Sequence, residues 1–353
     1  MLRLHRPENK TQVVKEMFSK KTGQNKKEES KRRGASQWAV AWRRFRRNKA
    51  GIFGLIIVMT VFFVGIFGSF FAPYPARPDP HAYDPFYDID SITGIGDVRK
   101  PPSWMDPEEP NSWKYLFGTT PIGTDVFSDV VHGTKYTVYV GVLVTAITMA
   151  LSIAVGAIAG FYGRWVDNIL MRISEVFLVF PSLLLILVFV RIFTVSVGEP
   201  FLNIPIINIQ IPTGLTIVIL VLGLFNWASN ARMIRGEFLR IRELEFIEAE
   251  RALGASNIRI IFRHILPNLM SSIIVVSSLT IAYAILLEAA VSFLGFGDVN
   301  TITWGQILQE NFSEMRIVWW AEIFPGIVIL LTVFGFNLLG DGLSDAMNPR
   351  LRD

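Results

Sequence analysis

Six apolar runs alternate with polar stretches along the chain: about Ile52 to Phe71, Val138 to Phe161, Ile169 to Val190, Thr213 to Ala231, Ser271 to Leu294 and Trp319 to Leu339. A helix of about 20 residues crosses the roughly 30 Å of bilayer hydrocarbon at about 1.5 Å per residue. The pattern predicts an all-α, polytopic membrane protein with six transmembrane helices. It divides the chain into a tail 1–50, a first membrane helix 51–72, a long loop 73–137, a core 138–341 with five helices and a polar loop 232–270, and a tail 342–353. Within the spans, Gly156 and Gly160 have the i, i+4 spacing of a close helix contact, and Pro181 kinks the third span. Arg172 and Glu175 pair across one turn. Glu288 falls roughly 27 Å along the fifth span, near its outer boundary.

The apolar pattern is interrupted most sharply by Phe246 to Asn268, FIEAERALGASNIRIIFRHILPN. Phe246, Ala249 and Leu253 lie at i, i+3 and i+7, one face of a short helix. Gly254 suits the left-handed conformation that ends a helix, and the Ser256 hydroxyl suits the cap of the next. In that second helix Ile258, Ile261, Phe262 and Ile265 form a stripe until Pro267 interrupts it. The prediction is a short helix, a hinge at Gly254 and a second short helix.

Composition agrees with the membrane assignment: 51% of residues are hydrophobic and mean hydropathy is +0.40. The net charge is only +4, but its distribution orients the chain. Residues 1–50 hold 16 Lys or Arg, whereas 73–137 hold five against ten Asp or Glu. With both termini cytoplasmic, 27 of the 34 basic residues lie inside and seven outside, as the positive-inside rule requires. Trp38, Trp42 and Phe45, at i, i+4 and i+7 among Arg43, Arg44, Arg46 and Arg47, predict a helix in the membrane interface. Immediate continuation into a span favours lipid headgroups over nucleic acid as the partner of this basic run.

Enzymatic chemistry finds no support. The chain has no cysteine, no GxxxxGK[ST] phosphate loop and no HExxH, and its histidines, His5, His81, His132 and His264, are scattered. His264 reads as a structural or headgroup-facing residue. An ion-coupled carrier or channel is the rival reading, and such carriers place ionisable groups near the midplane. Here Arg172, Glu175, Arg191, Glu288 and Glu322 map to span ends.

Glu248-Ala249, Gly254 six residues after Glu248, and Leu266-Pro267 resemble the EAA signature of permease subunits of bacterial ABC importers, in the ALGAS…HILPN form of the dipeptide and oligopeptide branch. FGTTPIGTDVFSD before the second span, SFLGFG…WGQIL and FNLLGDGLSDAMNPR resemble the same family. Two departures are visible: Glu250 replaces a customary alanine, and Thr120 and Thr124 replace an Asp and an Arg while Gly118, Thr119, Gly123 and Asp125 match. The resemblance covers about Trp38 to Arg350 and implies the type I ABC importer permease fold in a bacterial or archaeal plasma membrane. It implies that Phe246, Glu248, Ala249, Arg251, Ala252, Leu253, Gly254, Ala255, Ser256, Leu266 and Pro267 form a loop docked on an ATPase, with Glu248 a docking contact and Gly254 the hinge. Gly123 and Asp125 would meet an extracytoplasmic partner. The partners implied are a homologous second permease, two ATPase subunits that bind ATP and Mg, and an extracytoplasmic binding protein delivering peptide; this chain itself would bind no cofactor or metal. Relatives of this branch also carry nickel chelates, glutathione and short sugars.

Overall fold

The computed structural model describes residues 37–74, 98–106, 114–196, 202–204 and 209–347. The tail before residue 37, most of the external loop and the closing Arg350 and Arg352 lie outside the described residues. A short helix, α1 (Gln37–Phe45), precedes the first span, α2 (Lys49–Phe67). The Asn48 side chain caps α2 by accepting from the Gly51 N–H and donates to Asp345 at 3.1 Å. Phe45 is buried in the corner between α2 and the last helix, while Trp42, stacked on it, is exposed. The expected interfacial helix is thus anchored by one aromatic and open at another.

The second span is longer than its apolar run. Helix α3 (Val126–Tyr162) starts at Val126 rather than Val138, because Asp125 supplies an N-cap well before the apolar residues begin. The third span departs further from expectation. Instead of one kinked helix there are two, α4 (Arg164–Val179) and α5 (Ser182–Ser196), bent by 87°. Pro181 lacks an N–H and drives Phe180 into an extended conformation, φ −83 and ψ 140, which ends α4. Arg172 and Glu175 do pair, at 2.8 Å on an exposed face.

A two-stranded antiparallel hairpin, β1 (Leu202–Ile204) with β2 (Ile209–Ile211), is the exception to an otherwise helical fold among the described residues. The fourth span is α6 (Thr213–Phe225) followed by α7 (Trp227–Arg242), broken at Asn226. Helix α8 (Glu245–Ala252) and the turn at Gly254 lead to α9 (Asn257–Arg259), a π-helical stretch Ile260–Ile265 and the fifth span α10 (Leu266–Val291). After α11 (Trp304–Asn311) outside, α12 (Trp320–Met347) returns to the cytoplasm. Among the described residues, five helical stretches are long and apolar enough to cross a membrane, and six when the bent pair counts as one span.

Glycines set the closest approaches. A Cβ on Gly54 of α2 would fall 2.6 Å from the Gly335 carbonyl oxygen of α12, so these backbones touch. The predicted Gly156/Gly160 contact is internal: a Cβ on Gly160 would lie 2.6 Å from Phe238 Cβ of α7. Among the described residues the core packs as clusters: one along α2 and α12 around Trp304, Trp320 and Phe336, one around Val144, Ile219 and Leu287, a cytoplasmic one around Phe238, Ile247 and Ile265, and a small one of Trp227, Ala228 and Ala231.

Candidate functional site: the segment between α7 and α10

The segment from α8 to α10 is fixed to the membrane domain by a few fully buried side chains. Ile247 on α8, and Ile260 and Ile265 on the π-helical stretch, are each 0% exposed and pack with Phe238, Ile241 and Phe161. Burying each contributes about 1.5–3 kcal/mol, enough to hold so short a segment in one orientation. The face read from the sequence points the other way. Phe246 and Leu253 are exposed, Leu253 at 84%, as is Ala249. The anchor of α8 is Ile247, one residue off that stripe.

The turn has the predicted chemistry. Gly254 sits at φ +82, with its N–H donating to the Arg251 carbonyl and the Ala255 N–H donating to the Glu250 carbonyl. These two bonds form a Schellman cap, which satisfies carbonyls that the end of α8 leaves free. Ser256 then caps α9, accepting from the Arg259 N–H at 3.4 Å.

The second half differs from the predicted short helix. Chain direction does not break at Pro267; helix, α, then π, then α again, continues from Asn257 through Pro267 to Val291. Pro267 removes one N–H, and the chain absorbs the loss by widening into the π-helix Ile260–Ile265. The extra residue in that turn splits the predicted stripe: Ile265 goes inward, Ile261 is half-buried and Phe262 is 65% exposed, while Ile258, just before the π-helix, is 69% exposed. Leu253, Ile258 and Phe262 thus join Phe246 as exposed apolar side chains on the membrane domain's cytoplasmic end.

Polar contacts brace the segment from behind. His264 Nε2 lies 3.6 Å from a Glu250 carboxylate oxygen, joining the two sides of the Gly254 turn. This gives the unusual Glu250 a partner within the chain, and gives His264 a structural place. Arg251 lies over the Phe161 ring at 5.6 Å. Arg242 donates to the Gly160 and Phe161 carbonyl oxygens, capping the end of α3. Arg235 and Asp167 form a two-pronged ion pair between α7 and α4. None of these links was read from the sequence. Asp167, an acid in the first turn of α4, was the available signal for the last. Glu248, Ala252 and Pro267 are exposed, and Ala255 and Leu266 are half-buried.

Outside, Gly123 and Asp125 are both buried and build the turn before α3. Gly123 has φ +86, and Asp125 Oδ2 accepts from the Ser128 N–H at 2.8 Å and hydroxyl at 2.7 Å. Burial pushes the Asp125 carboxyl up to about 6, against the pull of the Ser128 bonds. Thr120 and Thr124, which replace charged residues of the family pattern, bond to each other at 2.8 Å, and Thr124 donates to Asp129. Trp320 Nε1 donates to the Thr119 carbonyl oxygen, tying this turn to α12. Arg99 and Glu314 bridge the outer surface at 2.7 Å.

Apolar spans, a basic cytoplasmic side and a braced polar segment between two spans define a multi-pass membrane protein. The chain belongs to the family of binding-protein-dependent transport system inner membrane components, whose pattern matches residues 152–353; that of the N-terminal transmembrane domain of oligopeptide transport permease C matches residues 36–102. It is a permease subunit of an ABC importer. The oligopeptide transport system permease protein OppC of Bacillus subtilis is 31% identical over 92% of this chain and 93% of its own length. The dipeptide transport system permease protein DppC of the same organism is 32% identical, covering 98% and 96% respectively. The glutathione transport system permease protein GsiD of Pectobacterium atrosepticum is 32% identical over 89% and 92%.

Proposed function

We propose that this chain pairs with a homologous permease to form the path for di- or oligopeptides, loaded by an extracytoplasmic binding protein and driven by two cytoplasmic ATPases. The observation that carries the coupling role is the set of exposed apolar side chains Phe246, Leu253, Ile258 and Phe262 on a segment anchored by the buried Ile247, Ile260 and Ile265. An apolar row held rigidly beyond the lipid fits a protein groove better than water. Glu248, exposed beside it, is the candidate polar contact with the ATPase.

The chain's own residues then carry the movement. A push on α8 acts through Ile247 on Phe238 and Ile241 of α7, and through Ile260 and Ile265 on α10, whose helix continues to the outer surface. The Arg235–Asp167 pair carries displacement of α7 into α4 and so to the 87° bend at Pro181. ATP would be bound and hydrolysed by the partners, with the segment bringing the permeases to an outward-open arrangement. Peptide is the favoured cargo because relatives over nearly the whole chain are named for oligopeptides and dipeptides. The GsiD relatives support glutathione as a second reading, itself a small peptide.

Co-purification from membranes in mild detergent tests the assembly. The expected result is that the wild type brings a second permease and ATPase subunits, while a Glu248→Lys, Gly254→Pro variant loses them or hydrolyses ATP without uptake. A chain that purifies alone and still moves solute in vesicles would refute it.

A further inference from the structure

A cavity of about 570 Å³ opens where three helix breaks or midpoints meet: the α4/α5 bend at Phe180, the α6/α7 break at Asn226 and the middle of α10 at Thr280 and Tyr283. Asn226 follows the 13 residues of α6, roughly 20 Å from that helix's outer end, so the cavity sits deep in the bilayer. Irregular backbone at such depth is tolerated where it is buried in protein or borders a water-filled space.

Its lining has a definite chemistry. Asn226, the residue before α7, and Ser229 and Asn230 in its first turn lie at i, i+3 and i+4, and Thr280 and Tyr283 face the same space from α10. Among the described residues that line it there is no Asp, Glu, Lys or Arg. Asn230 Nδ2 donates to Thr280 Oγ1 at 3.2 Å, and Asn226 Nδ2 to the Leu222 carbonyl oxygen. Ser229 is exposed and Tyr283 is 47% exposed. Uncharged donors and acceptors gather here at bilayer depth, where each polar group needs a partner in protein or water.

We propose that this face is the mid-membrane wall of the translocation path, and that it holds peptides by their main chain rather than by side-chain charge. Carboxamides and hydroxyls match backbone N–H and C=O groups in both directions, and a wall without charge neither traps nor repels acidic or basic side chains. The proposal rests on the peptide-importer reading for its cargo, but the wall's place in the path does not.

Two measurements test it. In proteoliposomes holding the whole transporter and its binding protein, Asn230→Asp should lower uptake of a di-glutamate peptide about tenfold relative to a di-lysine peptide of equal length, compared with the wild-type ratio, because a charge at low dielectric acts strongly. An unchanged ratio in a variant that still transports would overturn main-chain recognition. The chain has no cysteine, so Ser229→Cys provides one thiol in this subunit. A membrane-impermeant thiol reagent should modify it in the assembled transporter, with protection by added peptide, while Phe63→Cys on the exposed apolar face of α2 stays unmodified. This labelling does not depend on cargo being peptide: a labelled Ser229→Cys without peptide protection would keep the wall and reject the cargo. A Ser229→Cys that resists the reagent with and without ATP would overturn the wall.

Discussion

Arg235 of α7 and Asp167 of α4 meet through both guanidinium nitrogens and both carboxylate oxygens, the aspartate side chain only 11% exposed. This pair joins the helix that enters the candidate coupling segment to the helix that ends at the 87° bend. Removing one partner leaves a largely desolvated charge. Asp167→Asn or Arg235→Ala should cost about 1–3 kcal/mol. The exchanged double variant, Asp167→Arg with Arg235→Asp, should recover part of it. Thermal unfolding in detergent reads the cost, and additive losses in the cycle would show that the pair makes no coupled contribution.

Two glycines should respond to alanine for different reasons. Around Gly254 no atom lies within 4 Å of an added Cβ, so only φ +82 opposes the change. Gly254→Ala should cost about 1 kcal/mol, felt locally as faster hydrogen exchange in residues 246–259. Gly160→Ala places its Cβ 2.6 Å from Phe238 Cβ and 2.8 Å from the Arg235 carbonyl oxygen. Its cost should be larger, about 1–3 kcal/mol, and global, because α3 and α7 must separate.

Asp125 makes stability depend on pH. Its carboxyl is raised from 3.8 to about 6, so the folded chain holds that proton more tightly than the unfolded chain. The contribution is fully present below about pH 4 and is lost as pH rises through about 6, a difference of roughly 2–3 kcal/mol. Asn is an equally good N-cap, so Asp125→Asn should abolish this step. Melting of both proteins at pH 4.5 and pH 7 checks it; parallel shifts in the two would contradict the assignment. The neighbouring carboxylate that also raises it is Asp129.

Leu253→Cys and Phe262→Cys should each crosslink to an ATPase subunit through a short bifunctional reagent, since both side chains are exposed on the proposed docking row. Ile260→Cys, wholly buried, should not. Crosslinking from Ile260→Cys and none from Leu253→Cys would place the ATPase elsewhere.

Much of the fold was legible because membrane spans are written in long apolar runs, and the Gly254–Ser256 turn because cap residues act locally. What escaped depended on contacts distant in sequence or on backbone bookkeeping. Pro181 was legible as a kink, but whether a proline bends a helix modestly or by 87° is decided by neighbours such as α6 and α10. Pro267 was legible as a break, yet the π-helix Ile260–Ile265 just before it absorbed the change and left Phe262 exposed. Ile247 was invisible as the anchor because the i, i+3, i+7 pattern of Phe246, Ala249 and Leu253 is equally good for a face that docks on a partner. Thr120 and Thr124 showed the same limit: they departed from the family pattern but made a closed network with Asp129.

The segment Phe246–Pro267 is proposed to transmit ATPase closure to the membrane helices. Peptide taken up per ATP hydrolysed, in proteoliposomes containing the binding protein and either wild type or Gly254→Pro, tests it most directly. The variant complex should hydrolyse ATP while this ratio falls at least about tenfold, the Schellman cap having been lost where proline cannot adopt φ +82. An unchanged ratio in a fully assembled variant would contradict it.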